Sequence, residues 1–155
     1  MKKMRSTARP CPCGSGAAYR DCCRRFHKGE EPDDPETLVR SRFSAFALGE
    51  GAYVARTAHP EHAQSRTPEE ELSRAPQRLR YQRLVIHEGR LDGDRALVLF
   101  TAGVFEKGRD RSFVELSTFE RVDGAWRYRE GVTRPTGETP PTIDGFERHD
   151  FEQGG

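Results

Sequence analysis

Four cysteines fall within one short run, Cys11-Pro12-Cys13-Gly14-Ser15-Gly16-Ala17-Ala18-Tyr19-Arg20-Asp21-Cys22-Cys23, and the rest of the 155-residue chain contains none. Thiolates are the soft ligands that zinc and iron prefer, and a closed tetrahedral site takes four of them, or three with one histidine. Cys11, Cys13, Cys22 and Cys23 meet that count with none left over. Pro12 between the first two thiols, and Gly14-Ser15-Gly16 behind them, let the backbone curl around one ion, because glycine accepts the positive φ such a knuckle demands. Arg20, Arg24 and Arg25 lie close enough in sequence to offset the negative charge of four thiolates on a divalent ion.

Disulfides are the competing use of cysteine. Adjacent Cys22 and Cys23 are awkward partners for each other, and the opening Met1-Lys2-Lys3-Met4-Arg5-Ser6 lacks the apolar run of a secretory signal. Reduced thiols on a metal, in the cytoplasm, are therefore the expectation.

The same run, with Cys-Pro-Cys-Gly-Ser-Gly, a tyrosine at position 19 and a closing Cys-Cys, resembles the SEC-C metal-binding motif found at the C-terminus of the translocase ATPase SecA. The resemblance implies that Cys11, Cys13 and Cys22 occupy its three invariable thiolate positions. Cys23 matches the fourth, which is histidine in the translocase. Zinc is the expected metal and iron the alternative. His27 is a spare candidate ligand, read as a solvated residue just past the site, since four thiolates already complete the shell.

Further along, Leu38-Val39-Arg40-Ser41-Arg42-Phe43-Ser44-Ala45-Phe46-Ala47-Leu48-Gly49, followed by Tyr53, Thr57 and His59-Pro60, resembles the central domain of the YchJ-like family of bacterial proteins. So does Phe113-Val114-Glu115-Leu116-Ser117-Thr118-Phe119-Glu120-Arg121 with Asp123-Gly124-Ala125-Trp126-Arg127-Tyr128. The resemblance implies an α+β fold similar to nuclear transport factor 2: a cone made of a curved antiparallel sheet packed on helices, with a small N-terminal metal-binding knuckle. The chain departs from the family in Val114, where a histidine commonly precedes the glutamate, and this weakens any mechanism built on a His-Glu pair there.

The expected organisation is a knuckle over residues 1–28, an acidic proline-containing linker over 29–36, the cone over 37–132, and an extended tail over 133–155 ordered in part through Ile143 and Phe146. Within the cone, Val39, Phe43, Phe46 and Ala47 recur at helical spacing from Pro35 until Gly49 and Gly51 stop them. A second helix over 52–57 ends before Pro60, and a third starts at Thr67-Pro68 and runs to about Ser73. Strands over 80–88, 95–105, 111–122 and 125–132, separated by turn-rich runs at 89–94, 106–110 and 123–124, form an antiparallel meander. The second strand is apolar on both faces and should be central.

Lys and Arg number 26 against 25 Asp and Glu, so no global field favours nucleic acid, and contact with it is expected only through ribosome association. The basic residues are unevenly placed: Lys2, Lys3, Arg5, Arg9, Arg20, Arg24, Arg25 and Lys28 face one nearby acid, Asp21. That gives the knuckle a basic surface for a protein partner, and the likeness to the translocase motif implies a chaperone or the ribosome. No run approaches the roughly 18 apolar residues that span a bilayer.

Alternation places Phe113, Glu115, Ser117 and Phe119 on one face of their strand, toward the mouth of the cone. A desolvated Glu115 needs a cation, and Arg40 or Arg42 could supply it as a structural ion pair or as part of an anion or polar-ligand site. His59, Tyr81 and Trp126 are the other candidates for the mouth, whereas Phe43, Phe46, Phe100, Phe113, Phe119 and Trp126 lean toward a filled interior. No catalytic constellation emerges, so a binding module is favoured, with a small pocket enzyme of isomerase or dehydratase type, or a small-molecule binder, as the alternative.

Overall fold

The computed structural model describes residues 9–137 and 141–146. Lys2, Lys3 and Arg5 of the basic flank lie outside the described residues. Gly14 and Gly16 take φ of +81° and +92°, making the turn that brings Cys13 back past Cys11. The turn is pinned by Cys11 N–H on Ala17 O at 3.0 Å and Tyr19 N–H on Arg9 O at 2.8 Å. A 3-10 turn over Tyr19–Asp21 then leads into helix α1, Arg24–His27.

The acidic stretch is not the unpacked linker that its composition suggests. Pro32 is buried, and Glu31 accepts from Arg127 at 2.9 Å and from Arg56 at 3.1 Å. The Arg127 guanidinium holds the Glu31 carboxyl below its usual range. Helix α2, Pro35–Leu48, begins where Asp34 accepts from Thr37 N–H at 2.7 Å, with proline at the helix start, and ends at Gly49. Gly51, expected to stop that helix, instead opens α3, Gly51–Thr57. A 3-10 turn over Ala63–Arg66 precedes two single turns, α4 over Glu69–Leu72 and α5 over Ala75–Arg78. The third expected helix is therefore only α4, and Pro76 belongs to the start of α5, where a missing N–H costs little.

The sheet comprises β1 (Arg80–Asp92), β2 (Arg95–Glu106), β3 (Arg109–Asp110), β4 (Phe113–Val122) and β5 (Ala125–Pro135). Its order is β1-β2-β4-β5, with β3 paired to β2, and every ladder is antiparallel. Two connections are tighter than their composition suggests. Pairing continues to Asp92 opposite Arg95, so Gly93 and Asp94 alone form the first turn. Arg109 and Asp110 likewise fold back on β2 after a two-residue turn, because two-residue loops match the twist of the strands they join. Irregular register in β1 and between β4 and β5 marks the bulges that bend the sheet.

As expected, β2 is central and is buried on both faces. Ala96, Val98, Ala102 and Val104 pack toward the helices with Leu38, Val39, Phe43 and Trp126. Leu99, with Val114 and Leu116 of β4, faces the other way. That outer face is covered by the chain's own C-terminal part: residues 143–146 form one helical turn, Ile143 is 0% and Phe146 5% exposed, and Ile143 N–H donates to Glu88 Oε1 at 2.8 Å. No helix among the described residues is long and apolar enough to cross a membrane.

Candidate functional site

The Cys11–Ala17 turn supplies two sulfurs, and the entry to α1 supplies two more; Cys23 also caps the helix, its carbonyl accepting from Phe26 and His27 N–H. The four Sγ atoms lie within 4.8 Å of one another, with Cys13 and Cys22 3.6 Å apart. Four thiolates about 2.3 Å from a zinc ion sit ~3.8 Å from each other, so the donor set fits a tetrahedral ion in both chemistry and spacing. Cys11, Cys13 and Cys23 are buried, and Cys22 is half-buried with Ser15 Oγ at 3.1 Å. The thiols of Cys13 and Cys23 donating to Cys11 hold it well below the usual thiol range, whereas Cys23, donor in that pair and the more deeply buried, is pushed far up. An incoming metal ion displaces such shared protons.

The knuckle is fastened to α2 by single residues. Ser44 Oγ, fully buried, lies 3.3 Å from both Cys11 and Cys23 Sγ. Arg40 donates to Cys13 O at 3.0 Å and pairs with Glu36, so it serves the knuckle and not the mouth of the cone. His27 is neither a ligand nor a solvated side chain. Its Nε2 lies 2.8 Å from Ser41 O, and its Nδ1 lies 2.7 Å from the Tyr19 hydroxyl. A carbonyl only accepts, so Nε2 carries the proton and Nδ1 accepts from Tyr19. Burial lowers the His27 pKa and, with Glu50 nearby, pushes the Tyr19 hydroxyl up to about 12.

On the other side of α2 lies a cavity of about 170 Å³. Arg42, Tyr81 and Glu115 line it, with Gln64, Ser117 and Tyr128. The phenylalanines expected to fill the cone, Phe43, Phe46, Phe100, Phe113 and Phe119, form the walls of this cavity instead and leave the space between them. His59 and Trp126 are elsewhere: His59 Nε2 pairs with Glu120 at 3.2 Å, and Trp126 is 3% exposed within the main core. The expected ion pair with Glu115 does not form. Arg42 Nη1 donates to Val54 O at 3.0 Å and to Thr57 Oγ1 at 2.9 Å, and Nη2 donates to Gln64 Oε1. Glu115 Oε2 accepts from Ser117 Oγ at 2.6 Å and from Tyr128 OH at 3.0 Å. Hydroxyls on its own sheet reach the carboxylate first, while acceptors on and beyond α3 take the arginine.

Two sequence profiles match. That of the SEC-C motif covers residues 10–25, and that of the YchJ middle NTF2-like domain covers residues 34–131, well over half of the chain. The chain belongs to the YchJ-like family. A UPF0225 protein of Deinococcus radiodurans is 41% identical over 126 residues, covering 80% of this chain and 89% of its own. A SEC-C motif containing protein of Rhodopseudomonas palustris superposes with a TM-score of 0.70 at 29% identity, over 82% of this chain and 98% of its own. A second, from Psychrobacter arcticus, shares the fold at a TM-score of 0.67 and 24% identity, over 92% and 95%.

In this YchJ-like chain, the residues that sequence reasoning missed are Ser44, Gln64, Tyr128 and Gly131. Tyr128 sits among the family-like residues of β5, where its spacing alone assigns it no partner. Gly131 lies opposite Ser117, and a Cβ there would come within 2.2 Å of Glu115 Oε2 and 2.5 Å of Tyr128 OH. Its missing side chain is the room in which the Glu115 cluster sits.

Proposed function

We propose that this YchJ-like protein is a cytoplasmic, non-catalytic binding module whose knuckle holds one zinc ion and docks an acidic surface of another protein. The observation that carries this reading is the division of labour in α1. Phe26 is 5% exposed and joins the main core, while Arg24 and Lys28, one helical turn apart, are exposed and make no ion pair among the described residues. A helix anchored by its aromatic residue and presenting unpaired cations has its apolar side spent on the fold and its charge left for a partner. The likeness of the motif to that of the translocase points to a chaperone or a ribosomal protein as the partner class.

The test is capture from cytoplasmic extract by the intact chain beside an Arg24→Glu, Lys28→Glu variant, with elemental analysis of both. The reading expects one zinc per chain in each, equal thermal stability, and a partner retained only by the intact chain. An unchanged set of captured proteins refutes docking through α1, and iron in place of zinc refutes the metal. Substituting the cysteines is a poorer test than it looks from sequence, because the knuckle is bonded to α2 and its loss disturbs the cone as well.

A second reading, the cone as a small-molecule site, is favoured by one observation: Arg42 and Glu115 both line an aromatic-walled cavity without pairing to each other. The enzymatic alternative draws no support from these groups, since Glu115 is engaged by two hydroxyls of its own sheet.

A further inference from the structure

The cavity beside α2 contains one buried cation and one carboxylate that do not touch. A guanidinium has five N–H donors. In Arg42 three are committed, to Val54, Thr57 and Gln64, and among the described residues no carboxylate oxygen lies within 4.0 Å. Glu115 takes both of its hydrogen bonds on Oε2 and none on Oε1 among the described residues. Tyr128 bridges the two, its ring centroid 4.5 Å from the Arg42 guanidinium and its hydroxyl on Glu115. Two residues with unused hydrogen-bonding groups, Arg42 with donors and Glu115 with an acceptor, thus line the same space, which Phe43, Phe46, Phe100 and Phe113 enclose with apolar rings.

We propose that this cavity binds a small, neutral, planar ring compound whose polar edge offers an acceptor to Arg42 and an N–H donor to Glu115, as an aromatic amide or lactam does. The inference rests on the reading of the cone as a ligand site. Charge selects the class. An anion that satisfies Arg42 meets the Glu115 carboxylate in the same low-dielectric space, and a cation that satisfies Glu115 meets Arg42. A neutral edge with one group of each kind completes both and adds no charge. Size follows from the volume: at interior packing density the cavity holds ~125 Å³ of ligand, on the order of nine non-hydrogen atoms, and an engineered cavity of about 150 Å³ is known to take benzene. The walls suit an aromatic face, since Tyr81 already stacks on Phe46 with centroids 5.8 Å apart and meets Phe43 edge-on at 5.6 Å.

Three isosteric probes differing in charge test this on the full chain: benzamide, benzoate and benzamidine, titrated at neutral pH while the side-chain NMR signals of Tyr81 and Tyr128 are followed. Benzamide is expected to shift both signals with a Kd at or below about 10 mM, the affinity that roughly nine atoms reach at ordinary ligand efficiency. Benzoate and benzamidine are expected to bind at least about ten-fold more weakly. Tighter binding of either charged probe overturns the neutral class and leaves the ligand site standing. No shift of Tyr81 and Tyr128 with any of the three overturns the site itself.

Discussion

The hydroxyl of Tyr128 donates to Glu115 Oε2 at 3.0 Å across adjacent strands, and this bond exists because residue 131 has no side chain. Gly131→Ala places a methyl group 2.2 Å from the accepting oxygen, so the Glu115 and Tyr128 side chains must part. We expect the substitution to cost about 1–3 kcal/mol, the loss of a hydrogen bond to a charged group, read as a lower midpoint in thermal unfolding. An unaltered midpoint would show that the pair has another place to go.

Glu115→Gln keeps an acceptor for Ser117 and Tyr128 but removes the charge. Because no cation among the described residues is bonded to Glu115, the expected loss is about 1–2 kcal/mol, below the 3–5 kcal/mol typical of breaking a buried ion pair. Denaturant unfolding of the two proteins distinguishes these ranges.

Ser44→Ala leaves the four thiols in place and removes the hydroxyl between Cys11 and Cys23. Supporting contacts of this kind are worth roughly ten-fold or more in metal affinity. Competition with a chelator should show the variant surrendering its ion at about a tenth of the chelator concentration, with the cone still folded.

His27 is held neutral by burial, its folded pKa lying below the ordinary 6.5. Between those values the unfolded chain binds a proton that the native chain refuses, so stability is fully present above about 6.5 and is lost as pH falls toward the folded pKa. The midpoint of thermal unfolding should fall between pH 7.5 and 5.5, and His27→Gln should flatten that fall. Metal release on thiolate protonation also destabilises in acid, as do His62 and His87, whose pKa values burial lowers in the same way, so part of the fall survives in the variant.

A chain beginning at Asp33 retains every strand and α2 but loses Phe26 from the main core and Glu31 from Arg127 and Arg56. It should still unfold cooperatively, about 3–5 kcal/mol less stable, as for deletion of a buried phenylalanine. Equal stability of the two chains would mean that the knuckle is an independent appendage.

The knuckle and the alternation of β4 were legible in the sequence because each is written in a short local run. Four sulfurs near one another need no distant partner to be recognised, and period-two spacing put Glu115 with Phe113, Ser117 and Phe119. What could not be read was choice among partners. Arg40, Arg42 and His27 each had a plausible role by type, and the structure assigned them to a backbone carbonyl of the knuckle, to acceptors on and after α3, and to the link between α1 and α2. Such pairings span roughly a dozen residues or more and leave no periodic trace. The turns are shorter than composition implies for a related reason: Gly89 to Asp92 have turn-like composition, yet their backbone groups face β2 and pair with it.

One stretch of α2 has clients on every side. Arg40 reaches Cys13 O, Ser41 receives His27, Arg42 enters the cavity, Phe43 enters the core and Ser44 touches two sulfurs. A rigid rod gripped at five successive positions cannot turn at one of them alone. If the sulfurs hold an ion, stripping it is expected to loosen the grip at Arg40 and Ser44, and the rod to transmit that slack to Arg42 and the Tyr128 ring stacked against it. The resonances of Tyr128 are therefore expected to report remotely on whether the knuckle is loaded, readable without touching a cysteine.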